Sequence, residues 1–311
     1  MSDFTLTGLD GANPLGFLAA LGAFRILNEA SPARMFWTQD GGKWTPVLRI
    51  NQRPSILTLA RILRSRQDTP PLKMANNPQM PLLEFREAVY AAREQWFARV
   101  THDLEFIAAL GDSAVPDRNN PEINADTAWR TMSGSGHQHF LKFINEICKT
   151  TSLKQLREAL FDPWRYADTD YSMRWDPADD RRYALRWQNP STDKATNVRG
   201  ANRLAIEALP LFPVMPTTRA LETTGFSGHK SSDTFFTWPI WMVPINLDVC
   251  RSLLAHAELQ RASPATETFA SLGVSAAFRS QRITVNKFRN FTPARQIAGG
   301  YRNGQKLQPV N

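Results

Sequence analysis

The sequence predicts an α+β fold, with mixed helices and short, mostly antiparallel strands around a buried N-terminal helix. Three observations carry this. Leu15 to Leu27 (LGFLAALGAFRIL) is apolar almost all round, as a helix buried on every side must be. The strand-like runs are short and bounded by Gly, Pro, Asn or Asp. Helical and strand patterns alternate without a regular βαβ period, so a doubly wound sheet is not expected. With 311 residues, 42% of them hydrophobic, the chain has material for a large core. We read residues 1–296 as one compact body with a candidate sub-boundary near 111–135, followed by a flexible basic tail over 297–311.

In order, residues 3–8 alternate as a strand. Asn13 is a good N-cap and Pro14 fits the first helical position, so the apolar helix starts there. Its small residues, Gly16, Ala19, Ala20, Gly22 and Ala23, allow close packing against other backbone. Residues 34–39 and 43–50 flank Asp40-Gly41-Gly42, a hairpin signal. Ser55 to Arg66 is an amphipathic helix, and the prolines of 70–81 mark a loop. A helical pattern runs over 82–109, and Gly111 to Pro121 is a polar loop. A helix is expected from about His137 and another over 152–160. Arg181 to Trp187 alternates as a strand, and Val198 to Ala208 reads as a helix with Arg199 and Arg203 on one face. Leu209 to Val214 and Arg219 to Phe226 read as strands. Gly225 to Lys230 is a mobile basic loop. Phe235 to Ile245 is a strand whose two prolines place it at an edge or a bulge. Asn246 caps a helix, and Ser275 to Phe291 alternates as strands.

No apolar run reaches the roughly 20 residues that span a bilayer, so no membrane partner is expected. The N-terminus lacks the basic-then-apolar form of a secretory leader. Cys148 and Cys250 are far apart in apolar contexts, which suits two buried free thiols in a reducing cytoplasm. No CxxC pair exists for a cysteine-based zinc site.

The net charge is +8 and the pI about 9.8, pointing to a polyanionic partner. After Glu267 there is no acidic residue, and Arg279, Arg282, Lys287, Arg289, Arg295, Arg302 and Lys306 follow. Strand alternation lets Arg279 and Lys287 share one surface while Arg282 takes the other. A second concentration lies in residues 161–207, where Trp164, Trp175 and Trp187 are mixed with Asp162, Asp168, Asp170, Asp176, Asp179 and Asp180 and with Arg181, Arg182, Arg186, Arg199 and Arg203. Guanidinium groups neutralise phosphates, and flat rings stack on bases. The nucleic-acid-binding candidates are therefore Arg181, Arg182, Arg186, Arg199, Arg203, Lys230, Arg279, Arg282, Lys287, Arg289 and Arg295. The bland reading is an amphipathic strand pair with core tryptophans and solvated ion pairs.

Ser133, Gly134, Ser135 and Gly136 lead into a helix near His137, and such a loop offers backbone N–H groups to a phosphate or a partner's backbone. It lacks the lysine and spacing of a nucleotide P-loop. His137 and His139 diverge on a helix and make no metal pair. Asp168-x-Asp170-x-Ser172 departs from a calcium loop because Met173 stands where glycine is required. Two-metal nuclease chemistry would need a nearby base, and Lys194 and His229 are poorly spaced for it. No catalytic residue, metal or cofactor is expected.

Several segments together carry a resemblance: LDGANPLGFLAALGAFRIL, GHQHFLKFI, the DPW and MRWDPADDRRYAL block, VRGANRLAIEALPLFP, and TTGF with FTWPIW. They resemble CRISPR-associated proteins of type I-G (formerly I-U) systems, in order over most of the chain. The resemblance implies a non-catalytic subunit of a crRNA-guided surveillance complex. It would be similar to the large subunit that helps recognise target DNA, or to an accessory protein of the helicase-nuclease. Its partners would be crRNA or target DNA and the other subunits. Two other classes stay open: a metal-dependent nuclease built on the Asp162 to Asp180 run, and a protein-protein adaptor that docks a partner near Trp238 and Trp241.

Overall fold

A computed structural model describes residues 2–51, 55, 76–98, 103–132, 139–179, 196–218, 220–228, 233–285, 288–299, 301–302 and 305–306. The fold is α+β. Helix α1 (Pro14–Ala30) lies at its centre and is buried without a break from Pro14 to Leu27. Asn13 Oδ1 accepts from the N–H groups of Leu15 (2.8 Å) and Gly16 (3.2 Å), and Pro14 takes the first turn, as the sequence requires.

Two sheets flank this helix. The first has the order β1 (Ser2–Thr5), β3 (Lys43–Ile50), β2 (Ala33–Asp40), all antiparallel. Gly41 and Gly42 sit at φ +55° and +85° in the β2–β3 turn, where side chains are strained and glycine is not. The second sheet runs β11 (Phe288–Phe291), β10 (Val274–Val285), β9 (Phe235–Trp241), β8 (Phe226–Ser227), with β12 (Arg295–Gly299) also on β10. Met35 and Ile245 exchange backbone hydrogen bonds at 2.9 and 3.0 Å and tie β2 to the end of this sheet. Small antiparallel pairs join β4 (Asp168–Thr169) to β5 (Thr196–Asn197), β6 (Val214–Pro216) to β7 (Leu221–Thr223), and β13 (Tyr301–Arg302) to β14 (Gln305–Lys306).

The remaining described helices are α2 (Leu82–Phe97), α3 (Asp103–Leu110), α4 (Phe140–Thr150), α5 (Leu153–Phe161), α6 (Arg199–Ile206), α7 (Leu247–Leu254), α8 (Ala257–Gln260) and α9 (Thr266–Ser271). Ser152 and Gln155 form a capping box on α5, and Asn246 Oδ1 caps α7 through Val249 N–H at 2.9 Å. Helix α6 packs on α1 at very short range. A Cβ on Gly22 would stand 1.8 Å from the Leu204 carbonyl oxygen. The small residues of α1 thus let another backbone touch it.

One hydrophobic cluster runs from Phe4 to Phe291, and a smaller one joins Leu259, Phe269, Val274, Ala277 and Ala298. At the middle of the first, the Trp129 ring meets Trp175 (5.7 Å), Phe212 (5.1 Å), Phe226 (4.8 Å) and Phe236 (5.0 Å) edge-on. Trp129 belongs to the stretch near the candidate sub-boundary at 111–135, and its place is the common core.

Several expectations change. The helical pattern over 82–109 holds two helices: α2 ends at Phe97 with Ala98 as its C-cap, and α3 runs separately over Asp103–Leu110. The helix expected from His137 begins at Phe140, with Ser133 to Gln138 outside the described residues. Leu209 to Leu211 is a 3₁₀ turn with Pro210 in its first turn, and the strand follows only at Val214. The Asn246 helix stops at Leu254, and α8 is separate. The tail boundary at 296 falls inside β12, whose residues Gln296 to Gly299 pair with β10. The strand expected over Phe235 to Ile245 ends at Trp241, so of its two prolines only Pro239 lies within β9. Strand β8 covers only Phe235 and Phe236, and the β10 ladder shifts register between Val274 and Ala276. The helix expected over 55–66 and the strand over 181–187 lie outside the described residues, apart from Ser55.

Candidate nucleic-acid interface

Strand alternation sends Arg279 and Arg282 to opposite faces of β10, as expected, but neither projects freely into solvent. Arg279 is 4% exposed. Its Nε donates to Thr237 Oγ1 (2.8 Å), and its two terminal nitrogens donate to the carbonyl oxygens of Ala262 (2.5 Å) and Arg261 (2.6 Å). Burial, and then Arg295 directly across the ladder, lower its pKa from the usual guanidinium range. Arg203 is also interior, at 1% exposure, and binds Glu207 at 2.7 Å. Both are corrected from surface contacts to structural groups, since buried guanidiniums are held by acceptors within the protein.

Arg199 is half-buried. Its backbone N–H donates to Asp168 Oδ2 (2.9 Å) and its guanidinium to the Thr169 carbonyl. Arg295 is exposed on β12. Arg181, Arg182, Arg186, Lys230 and Lys287 lie outside the described residues, as do Ser133, Gly134, Ser135, Gly136 and His137.

Arg282 and Arg289 do come together. Arg282 pairs with Phe291 and Arg289 with Thr284 in the β10–β11 register, so the two arginines are diagonal neighbours on one face. With Arg118 they line a cleft of about 320 Å³ between the 115–128 loop, strands β7 and β8, and the β10–β11 hairpin. Arg282 Nη1 donates to the Ala128 carbonyl at 2.6 Å. Arg289 Nη1 reaches Asp126 Oδ2 (3.2 Å) and the Arg130 carbonyl (3.1 Å). Burial, and then the like charge of Arg289, push the Arg282 pKa down to about 10. An anion in the cleft would relieve that repulsion.

Three carboxylates share the lining. Asp117 accepts from Gln79 Nε2 (3.1 Å) and from Asn119 N–H (2.9 Å), and Asp126 is held by Arg289 and by Arg130 (3.4 Å). Glu222 is the third. Asp126 thus stands beside the basic C-terminal block that reads as acid-free along the chain. Ser227 Oγ and Arg282 Nε are buried at this cleft without a partner among the described residues. Sequence reading missed Arg118 and Asp126, whose only signal was a polar, turn-rich loop.

Three carboxylates of the acidic run are held in hydrogen bonds within the fold. Asp168 accepts from Gln155 Nε2 (2.5 Å), and Asp179 accepts from Ser172 Oγ (2.6 Å). Asp176 accepts from Asn13 Nδ2 (3.2 Å), Tyr166 Oη (3.1 Å) and Ala178 N–H (2.9 Å), while burial raises its pKa. Asp180 lies outside the described residues. Among the described residues no group of three His, Cys, Asp or Glu could hold a metal. Tyr166, Asp170, Tyr171 and Arg174 have φ between +48° and +64°, a conformation costing about 1–3 kcal/mol each and concentrated at functional loops. Trp175 is fully buried, Trp164 partly so, and Trp187 lies outside the described residues.

The adaptor surface near Trp238 and Trp241 is also corrected. Both rings are buried, and their Nε1 atoms donate to the carbonyls of Gly11 (2.7 Å) and Met35 (2.8 Å). Among the described residues no helix is long and apolar enough to cross a membrane. Comparison of the chain with models of known families and with curated proteins gives no match.

Proposed function

We propose that this protein is a non-catalytic, nucleic-acid-binding subunit of a crRNA-guided type I interference complex. In that role it holds target DNA or crRNA, or docks the helicase-nuclease. The observation that carries the nucleic-acid reading is the convergence of Arg118, Arg282 and Arg289 on one cleft. Guanidinium forks match phosphate oxygens bidentately, and each phosphate neutralised releases counterions. The assignment to an interference complex is supported by the segmental resemblance to type I-G proteins. On this reading the carboxylates of residues 162–179 brace the fold and hold no metal.

The test is binding of labelled RNA and DNA, single- and double-stranded, over a salt series, for the parent and for Arg118→Glu with Arg289→Gln. The parent should bind with a steep salt dependence, and the double variant should bind more weakly with a slope shallower by about two units. Equal affinity and slope would move the footprint elsewhere. Manganese-dependent cleavage lost in Asp179→Ala would overturn the non-catalytic assignment.

A further inference from the structure

A second cavity, of about 220 Å³, opens between α5 and the loop that follows it. Trp164 and Tyr166 line it, with ring centroids 6.2 Å apart, and Pro163 and Val198 add apolar wall. The polar ends of both rings are tied to the protein. Trp164 Nε1 donates to the Ala159 carbonyl (3.0 Å), and Tyr166 Oη donates to Asp176 Oδ2 (3.1 Å). The rings are therefore anchored before any ligand arrives. Asn197 also lines the cavity and is 2% exposed. Its Nδ2 donates to the Asp170 carbonyl (2.9 Å), but its Oδ1 has no partner among the described residues. A buried acceptor left unpaired is costly, and a ligand's N–H would satisfy it. Lys154 and Arg165 place cations on the exposed wall, and the carboxylates that share the lining are engaged: Glu158 by Lys154 (3.8 Å), Asp162 by Arg157 (3.2 Å) and Asp168 by Gln155 and the Arg199 N–H.

We propose that this pocket takes one unstacked nucleobase of a single-stranded nucleic acid. The base lies against Trp164 and Tyr166, one of its N–H groups donates to Asn197 Oδ1, and the adjoining phosphate meets Arg165. The inference rests on the nucleic-acid reading above and adds to it the state of the strand. Base-on-aromatic stacking tolerates any base, and each base has an N–H for the Asn197 acceptor, an exocyclic amine in adenine, cytosine and guanine or the ring N3–H in uracil and thymine. A duplex keeps its bases stacked and has none to insert.

The test is photocrosslinking of the full-length protein to short single strands carrying 5-iodocytidine, with the crosslinked residues mapped by mass spectrometry. In parallel, the affinities of adenine-, cytosine- and uracil-only strands are compared. Crosslinks should map to Trp164 or Tyr166, and all three strands should bind, since stacking is sequence-tolerant. Trp164→Leu should weaken single-strand binding about tenfold, while Trp164→Phe, which keeps a ring, restores most of it. Strand binding with crosslinks confined to other residues would overturn the pocket and leave the arginine cleft standing. Failure of the parent to bind any strand would overturn both. Protection of the pocket by an aromatic peptide, with none by nucleotides, would assign it to a protein partner and overturn the proposal.

Discussion

Arg203 of α6 and Glu207, the residue that caps its C-terminus one turn on, meet at 2.7 Å in the buried centre of the molecule. Glu207 also binds Arg25 of α1 at 2.9 Å, and Arg25 reaches Glu105 of α3 at 2.6 Å. One carboxylate therefore joins two guanidiniums that water cannot reach. Glu207→Gln keeps the shape and removes the charge, and breaking such a buried network costs about 3–5 kcal/mol. The urea midpoint should fall accordingly, and an unchanged midpoint would show that the network contributes nothing net.

The contact between α1 and α6 makes a steric prediction. Gly22→Ala places a methyl group 1.8 Å from the Leu204 carbonyl oxygen, and backbone cannot swing aside as a side chain can. Overpacking of this kind costs about 1–3 kcal/mol. Thermal unfolding should shift down in this variant, although alanine is the better helix former.

Burial pushes the Cys148 thiol up to about 11 and the Cys250 thiol to about 12, from an ordinary value of 9.0. Both should resist iodoacetamide at pH 8 while the protein is folded and react fully in denaturant. The linkage has a definite sign. The folded state keeps these protons where the unfolded state loses them, so their contribution is complete below pH 9 and is lost as pH rises towards 11 and 12. Alkylation of the native protein would place at least one thiol at the surface.

Arg279→Glu sets a carboxylate against the carbonyl oxygens of Arg261 and Ala262, which now accept from the guanidinium. Reversing a buried, bonded charge costs about 3 kcal/mol or more. Circular dichroism should show unfolding at lower temperature, so weaker nucleic-acid binding by this variant would report damage to the fold. Arg118 and Arg289 are the informative positions.

Local signals were legible in the sequence. Asn13-Pro14, Asp40-Gly41-Gly42 and Asn246 act through neighbours a few residues away, and each places its helix or turn as read. The gaps lie where a partner is distant or carries no side-chain signature. Arg279 and Arg282 are held by the main-chain oxygens of residues 261, 262 and 128, which nothing in the pattern of β10 reveals. Strand alternation gave their faces correctly but not what covers those faces. The i, i+4 spacing of Arg203 and Glu207 was visible, yet only packing against α1 turns that pair from a surface bridge into a core one. The nucleobase pocket draws Trp164 and Asn197 from points far apart along the chain, so aromatic content alone could not define it.

The central helix is complete long before the groups that cover it exist. A ribosome adds roughly 5–20 residues per second. Helix α1 therefore waits on the order of ten seconds for α6, and longer for Trp238, whose indole closes on Gly11. Throughout that interval a largely apolar segment is displayed to whatever receives nascent chains. Ribosome-bound chains halted before residue 199 should thus be captured by chaperones, and those released after the second sheet is made should not. Protease digestion of such stalled chains would time the change, and early resistance around α1 would show that the helix finds another shelter.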